Sequence, residues 1–275
     1  MPIVARQLTP EGLAPLAYQA DSLADAARFE PQGVYTITNT YPNLQALKLD
    51  AHLTRLEDSA RREGIPLTLD RPRLRAALRQ LIVESGYDVV RFRITVPAAT
   101  PDQPVLTVEP FRPPAPEVYT QGIRCVTVTN ARRDNPAAKT TGWMTQRRDV
   151  QNALPPGVTE GLLASPSGHL LEGLSSNFYA ILGGVLHSAE AGVLAGIGRQ
   201  VVYEVAPGIV PLSGEPVAVA DIPRLAEAFI TSASRGIVPV VEIDGLRIGD
   251  GAPGPLTRAL RGAYGDWVSA HLEDI

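Results

Sequence analysis

The sequence predicts a mixed α/β (α+β) chain built in two parts. A smaller α/β domain over residues 1–112 and a larger strand-rich domain over 122–275 are expected, with a proline-rich linker at 113–121. Three observations predict this. Short runs rich in β-branched and aromatic residues alternate with longer segments that carry an apolar stripe at helical spacing. Turn residues separate them. Finally, Pro110, Pro113, Pro114 and Pro116 fall so close together that neither a helix nor a central strand continues through them.

Taken in order, Gly33–Tyr41 alternates as a strand does, and Ala46–Leu49 reads as a short second strand. Asp50 is placed to cap a helix running to Glu63, with Leu53, Leu56 and Ala60 on one face. Asp70 is placed to cap a second helix, Pro72–Ser85, striped by Leu74, Ala77, Leu78, Leu81 and Ile82. Val89–Val96 and Val105–Val108 read as strands. Beyond the prolines come a strand (Gly122–Val128), a helix (Gly142–Asn152) and a hairpin, Glu160–Ala164 and His169–Glu172, turning at Pro166-Ser167-Gly168. Further strands are expected at Phe178–Leu182, Pro216–Val219, Ala228–Thr231 and Val238–Ile243. Helices are expected from Gly198 and over Pro255–His271.

Composition narrows the function. Of 275 residues, 44% are hydrophobic and 20% charged, enough for a large core. The formal net charge of −4 gives no basic field for nucleic acid. No apolar run approaches the roughly 18–20 residues that span a bilayer. The opening MPIVARQLTPEG lacks a signal-peptide core, so a cytoplasmic location is expected. Cys125, the single cysteine, excludes an intrachain disulfide and a multi-cysteine zinc site. Its apolar neighbours suggest a buried strand residue, and no metal site is expected. Lys48 and Lys139 are the only lysines. Chemistry that needs a Schiff base to an aldehyde therefore has two candidates.

Four segments then stand out in order: His52-Leu53-Thr54-Arg55-Leu56-Glu57-Asp58-Ser59; Lys139-Thr140-Thr141; Leu171-Glu172-Gly173-Leu174-Ser175-Ser176-Asn177-Phe178; and Leu194-Ala195-Gly196-Ile197-Gly198-Arg199. A weaker fifth runs from Phe229 to Val240 and on to Gly245. Together they resemble the fold-type IV enzymes that use pyridoxal 5′-phosphate, the class IV aminotransferase group. That group includes branched-chain and D-amino-acid aminotransferases and aminodeoxychorismate lyases. The motifs of that family are H-x-x-R-L-x-x-S, the lysine, E-x-x-x-S-N-[IVL]-F and L-x-G-[IV]-T-R. Here Phe178 directly follows Asn177, and Gly198 stands where the family usually has threonine. The D-R-x-x-x-x-G-D-G entry motif is missing from the first thirty residues.

The resemblance implies a small N-terminal domain and a larger pseudo-barrel C-terminal domain that binds the cofactor. It implies that Lys139 carries pyridoxal 5′-phosphate as a Schiff base and moves the substrate's α-proton. Glu172 would face the pyridine nitrogen and keep the ring an electron sink. Arg55 would hold the phosphate, together with the Ile197 and Gly198 amides at a helix start and with Ser232 and Ala233. Ser176 and Asn177 would organise the strand under the ring. Tyr35 would line the substrate pocket. Arg93, which shares a strand face with Arg91, would bind the substrate carboxylate, a salt-bridged surface pair being the alternative. Arg147 and Arg148 are further candidate anion binders; Lys48 reads as surface, and His52 as a structural hydrogen-bonder.

The implied function is amino transfer between an amino acid and a 2-oxo acid, in a homodimer. A pyruvate-releasing aminodeoxychorismate lyase is the alternative, since Gly33-Val34-Tyr35-Thr36 resembles the lyases' G-x-F-T and Gly196-Ile197-Gly198-Arg199-Gln200 their G-I-x-R-Q. A non-catalytic protein that kept the fold is the reading from another class.

Overall fold

The computed structural model describes residues 3–275. The chain divides into two compact units. One comprises the chain up to Arg112 with Ala137–Gln146 and His271–Ile275; the other comprises Pro113–Pro136 and Arg147–Ala270.

In the first unit, β1 (Val4–Thr9) and β2 (Gly12–Pro15) form a hairpin that sequence patterning did not suggest. A short helix α1 (Leu23–Ala26) leads to β3 (Gly33–Tyr41), β4 (Gln45–Leu47), helices α2 (Leu49–Arg62) and α3 (Arg71–Ser85), then β5 (Val90–Pro97) and β6 (Val105–Pro110). With the C-terminal strand Leu272–Asp274 these make one sheet of seven strands, in which β3, β5 and β6 are antiparallel neighbours. The expected α3 stripe is its buried face. It packs with Leu49, Leu53, Leu56 and Ala60 of α2 against Val34, Phe92, Ile94 and Val108 of the sheet. Each such leucine contributes roughly 1.5–3 kcal/mol by leaving water.

Asp70 caps α3 as expected, accepting from the Arg73 amide. Asp50 does not cap α2. The helix starts two residues earlier than that cap would set, at Leu49, after Lys48 in a left-handed conformation. The Asp50 amide instead donates to Glu273 Oε2 at 3.0 Å, and the Asp50 carboxylate pairs with Arg75. A carboxylate 223 positions away takes the place of the local cap, and the strand before α2 is correspondingly shorter than expected.

In the second unit, α4 (Pro116–Thr120) is a short helix inside the stretch expected as linker. The strands are β7 (Ile123–Val128), β8 (Glu160–Ala164), β9 (Leu170–Gly173), β10 (Asn177–Leu182), β11 (Val185–His187), β12 (Leu212–Ser213), β13 (Glu227–Ser232), β14 (Gly236–Ile243) and β15 (Leu246–Arg247). The order β10-β13-β14-β7-β8-β9 returns to β10 through the Asn177–Glu172 pair, so six strands close a ring. The pseudo-barrel has its core in Cys125, Leu162, Phe178, Ile230 and Val240, among others. Cys125 is buried there, which pushes its thiol pKa well up, as suits a packing residue rather than a nucleophile. Helix α5 (Thr141–Asn152) is shared between the units; α6 (Ile197–Val205) and α7 (Pro255–Ala270) belong to the second. The strand expected at Pro216–Val219 is absent. That segment makes only an isolated bridge, Ala218 to His169, before a 3-10 turn at Val219–Arg224. Pro216, at the start of the segment, has no N–H to give to a ladder.

Candidate active site

In the first unit, helix α2 presents His52, Arg55 and Ser59 at positions three and four apart, so the three share a face. That face meets Lys139. The Lys139 amide donates to Ser59 Oγ at 3.1 Å, and Ser59 Oγ donates to the Arg55 carbonyl at 2.8 Å. On the other side, the Lys139 carbonyl accepts from the Tyr35 amide at 2.9 Å. Thr140 bridges Val34, and Thr141 Oγ1 accepts from the Gly33 amide at 3.0 Å. Both peptide groups of Lys139 are thus fixed, by a helix on one side and by the edge of β3 on the other. The ammonium lies 4.8 Å from the Tyr35 ring centroid. Tyr35 is itself buried with Ala27 and Met144.

Arg55 Nη2 donates to Thr36 Oγ1 at 3.2 Å, and Thr36 Oγ1 lies 2.7 Å from His52 Nδ1. Of the two carboxylates nearby on the helix, Glu57 holds Arg71, and Asp58 holds Arg62. Burial, followed by the nearby charges of Arg55 and Lys139, holds the His52 pKa well below the usual imidazole value, so the ring is neutral at pH 7.

Arg93 sits differently from its expected role. It is fully buried, its Nη1 donates to the Leu23 carbonyl at 3.0 Å, and its Nη2 pairs with the buried Glu30. Arg91 pairs with Glu109 at 3.7 Å. Lys48 is half-buried at the left-handed start of α2.

In the second unit, Glu172 and Asn177 are cross-strand partners on β9 and β10. Glu172 Oε2 accepts from the Leu194 amide at 3.0 Å, and Asn177 Nδ2 donates to the Leu194 carbonyl at 2.9 Å. Glu172 Oε1 accepts from Arg133 Nη1 at 2.9 Å, with both side chains buried. Arg133 was not singled out in the sequence; nothing local marks it.

Leu194 leads into α6. A Cβ on Gly196 would come within 2.0 Å of Asn177 Oδ1, so only glycine fits there. The opening N–H groups of α6, those of Ile197 and Gly198, precede the first intrahelical donor, Gln200, whose amide bonds to Gly196 O. At Gly198 an added Cβ would stand 3.3 Å from Tyr264 Oη and 3.5 Å from the Ser232 carbonyl. Bare backbone at a helix start beside the Ser232 turn is a cradle that suits a phosphate. The turn is fixed by Arg235, which donates from Nε to Ser232 Oγ at 3.0 Å and from Nη2 to Glu160 Oε2 at 3.1 Å. Glu160 Oε2 also accepts from Ser176 Oγ at 3.2 Å. Buried Glu160 therefore ties Ser176 to the turn that carries Ser232 and Ala233. Of the other arginines, Arg147 reaches only the Leu174 carbonyl at 3.5 Å, and Arg148 is exposed.

No His, Cys, Asp and Glu grouping among the described residues could hold a metal ion, and none of their helices is long and apolar enough to cross a membrane.

Residues 33–243 match the family model for class IV amino-transferases. A putative branched-chain-amino-acid aminotransferase of Methanocaldococcus jannaschii is 27% identical over 264 residues, covering 89% of this chain and 90% of the relative. A D-alanine aminotransferase of Bacillus licheniformis is 29% identical over 245 residues, covering 84% and 86%. Among solved structures, the branched-chain amino acid aminotransferase from Escherichia coli has a similar fold, at a TM-score of 0.80 and 19% identity, covering 100% of this chain and 99% of that one.

Proposed function

The chain belongs to the class IV aminotransferase family, and from that premise we propose that it transfers an amino group between an amino acid and a 2-oxo acid, with pyridoxal 5′-phosphate held covalently by Lys139. The observation that carries this reading is the fixing of Lys139. Its amide is held by Ser59, on the face of α2 that also bears Arg55, and its carbonyl by the Tyr35 amide.

The cofactor supplies an electron sink for the electrons left when the substrate's α-proton departs. The residues supply the rest. Lys139 Nζ takes and returns the α-proton. Arg55 would offer a guanidinium to the phosphate, and the Ile197 and Gly198 amides with Ser232 and Ala233 would offer neutral donors to it. Glu172, steadied by Arg133, would accept a hydrogen bond from the protonated ring nitrogen and so keep the ring an electron sink. Asn177 and Ser176 hold the loops on which these donors sit. Tyr35 forms an aromatic wall beside Lys139. Arg93 is left out of the substrate assignment, because breaking a buried ion pair costs roughly 3–5 kcal/mol.

Borohydride reduction of the holoenzyme followed by peptide mapping tests the reading. A phosphopyridoxyl adduct on Lys139, lost in Lys139→Ala, is expected. A protein that takes up no cofactor, or is labelled only at Lys48, refutes it. A panel of L- and D-amino donors with 2-oxo acids then assigns the substrate. The lyase reading keeps its two supporting features, Thr36 in its Gly33-Val34-Tyr35-Thr36 setting and the Gly196-Ile197-Gly198-Arg199-Gln200 run. Pyruvate release from aminodeoxychorismate, without a 2-oxo acid acceptor, distinguishes it. A homodimer is expected in solution.

A further inference from the structure

Thr36, His52 and Arg55 form a chain whose proton positions follow from valence alone. Arginine only donates, so Thr36 Oγ1 is the acceptor in its bond with Arg55 Nη2. Thr36 is fully buried, and among the described residues its hydroxyl oxygen is bonded to two groups, Arg55 and His52. If His52 carried its proton on Nδ1, the threonine hydrogen would have no acceptor, and Nε2, which is buried without a partner among the described residues, would have no donor. Two buried groups would then be unsatisfied. With the proton on Nε2, Nδ1 accepts the threonine hydrogen and a single group remains unsatisfied. Each unsatisfied buried group is costly, so the second tautomer wins.

We infer that His52 is a positioning residue for the anion-binding arginine: by accepting the Thr36 hydroxyl at Nδ1, it turns the Thr36 lone pairs towards Arg55 and fixes the direction of the guanidinium. The imidazole acts through Thr36 and need not touch the anion. The inference rests on the reading that Arg55 takes the cofactor phosphate.

The test titrates apo protein with pyridoxal 5′-phosphate and with pyridoxal, following intrinsic fluorescence, and takes the ratio of the two affinities. Arg55→Gln removes most of the preference for the phosphorylated form; if it does not, the Arg55 reading itself fails, and the inference with it. Thr36→Val and His52→Phe are each expected to lower the ratio about tenfold, the size of one charge-assisted bond. The double variant is expected to be no worse than Thr36→Val, because the histidine acts through the threonine. His52→Gln, which can present an amide oxygen, is expected to recover part of the ratio. Nitrogen NMR of labelled apo protein is expected to show His52 protonated at Nε2. A ratio untouched in His52→Phe, a loss that adds fully to that of Thr36→Val, or a proton found on Nδ1 overturns the inference. The ratio cancels a general loss of folding, which weakens both ligands alike.

Discussion

Glu172 and Asn177 face one another across β9 and β10, and between them hold the amide and the carbonyl of Leu194. The acidic motif on the strands and the glycine motif at the start of α6 are therefore one mechanical unit. Asn177→Ala removes the donor to the Leu194 carbonyl and is expected to cost about 1–3 kcal/mol. Urea denaturation measures that cost. Cofactor retention after gel filtration is expected to fall alongside it; a variant with unchanged stability and retention would show that the Leu194 turn holds itself.

Gly198 leaves little room for a side chain beside Tyr264. Restoring the threonine usual in the family would place its Cβ 3.3 Å from Tyr264 Oη. Overpacking of this kind costs roughly 1–3 kcal/mol. Gly198→Thr is expected to lower the denaturation midpoint, and Tyr264→Phe in the same chain to recover part of it. If Gly198→Thr is as stable as the parent, the glycine is not set by Tyr264.

His52 gives a pH dependence with a definite sign. Its folded pKa lies well below the unfolded value of 6.5, through burial first and then the charges of Arg55 and Lys139. Below pH 6.5 the unfolded chain binds a proton there that the folded chain does not. Stability is therefore expected to fall as pH drops from about 6.5 towards the folded pKa, by up to about 1.4 kcal/mol per pH unit. Comparing wild type with His52→Gln isolates this one group. Parallel stability–pH curves for the two would contradict it.

Helix α7 depends on a cap from β13. Glu227 accepts from the Leu256 amide at 3.0 Å and the Thr257 amide at 2.6 Å, and is buried. Glu227→Ala is expected to destabilise the protein by about 1–2 kcal/mol, with increased amide exchange confined to the first turn of α7. Exchange that rises uniformly through the chain would argue against a local cap.

The elements that the sequence by itself determined are those whose cause is local. The stripe on α3, the Asp70 cap, the strand at β3 and the burial of Cys125 each follow from residues a few positions apart. The candidate site residues were legible in the same way, as short motifs in order, and the match over residues 33–243 shows that the family they pointed to is the right one. Partnerships were not legible. That Glu273 rather than Asp50 serves the start of α2, that Arg93 is consumed by Glu30, that Arg133 steadies Glu172, and that Ser59 fixes Lys139 all join residues far apart in the chain. A carboxylate or guanidinium reads the same in a sequence whether it faces solvent, a cofactor or an opposite charge. Only the packing decides which, because the cost of burying a charge is settled by what the fold brings within about 3 Å of it.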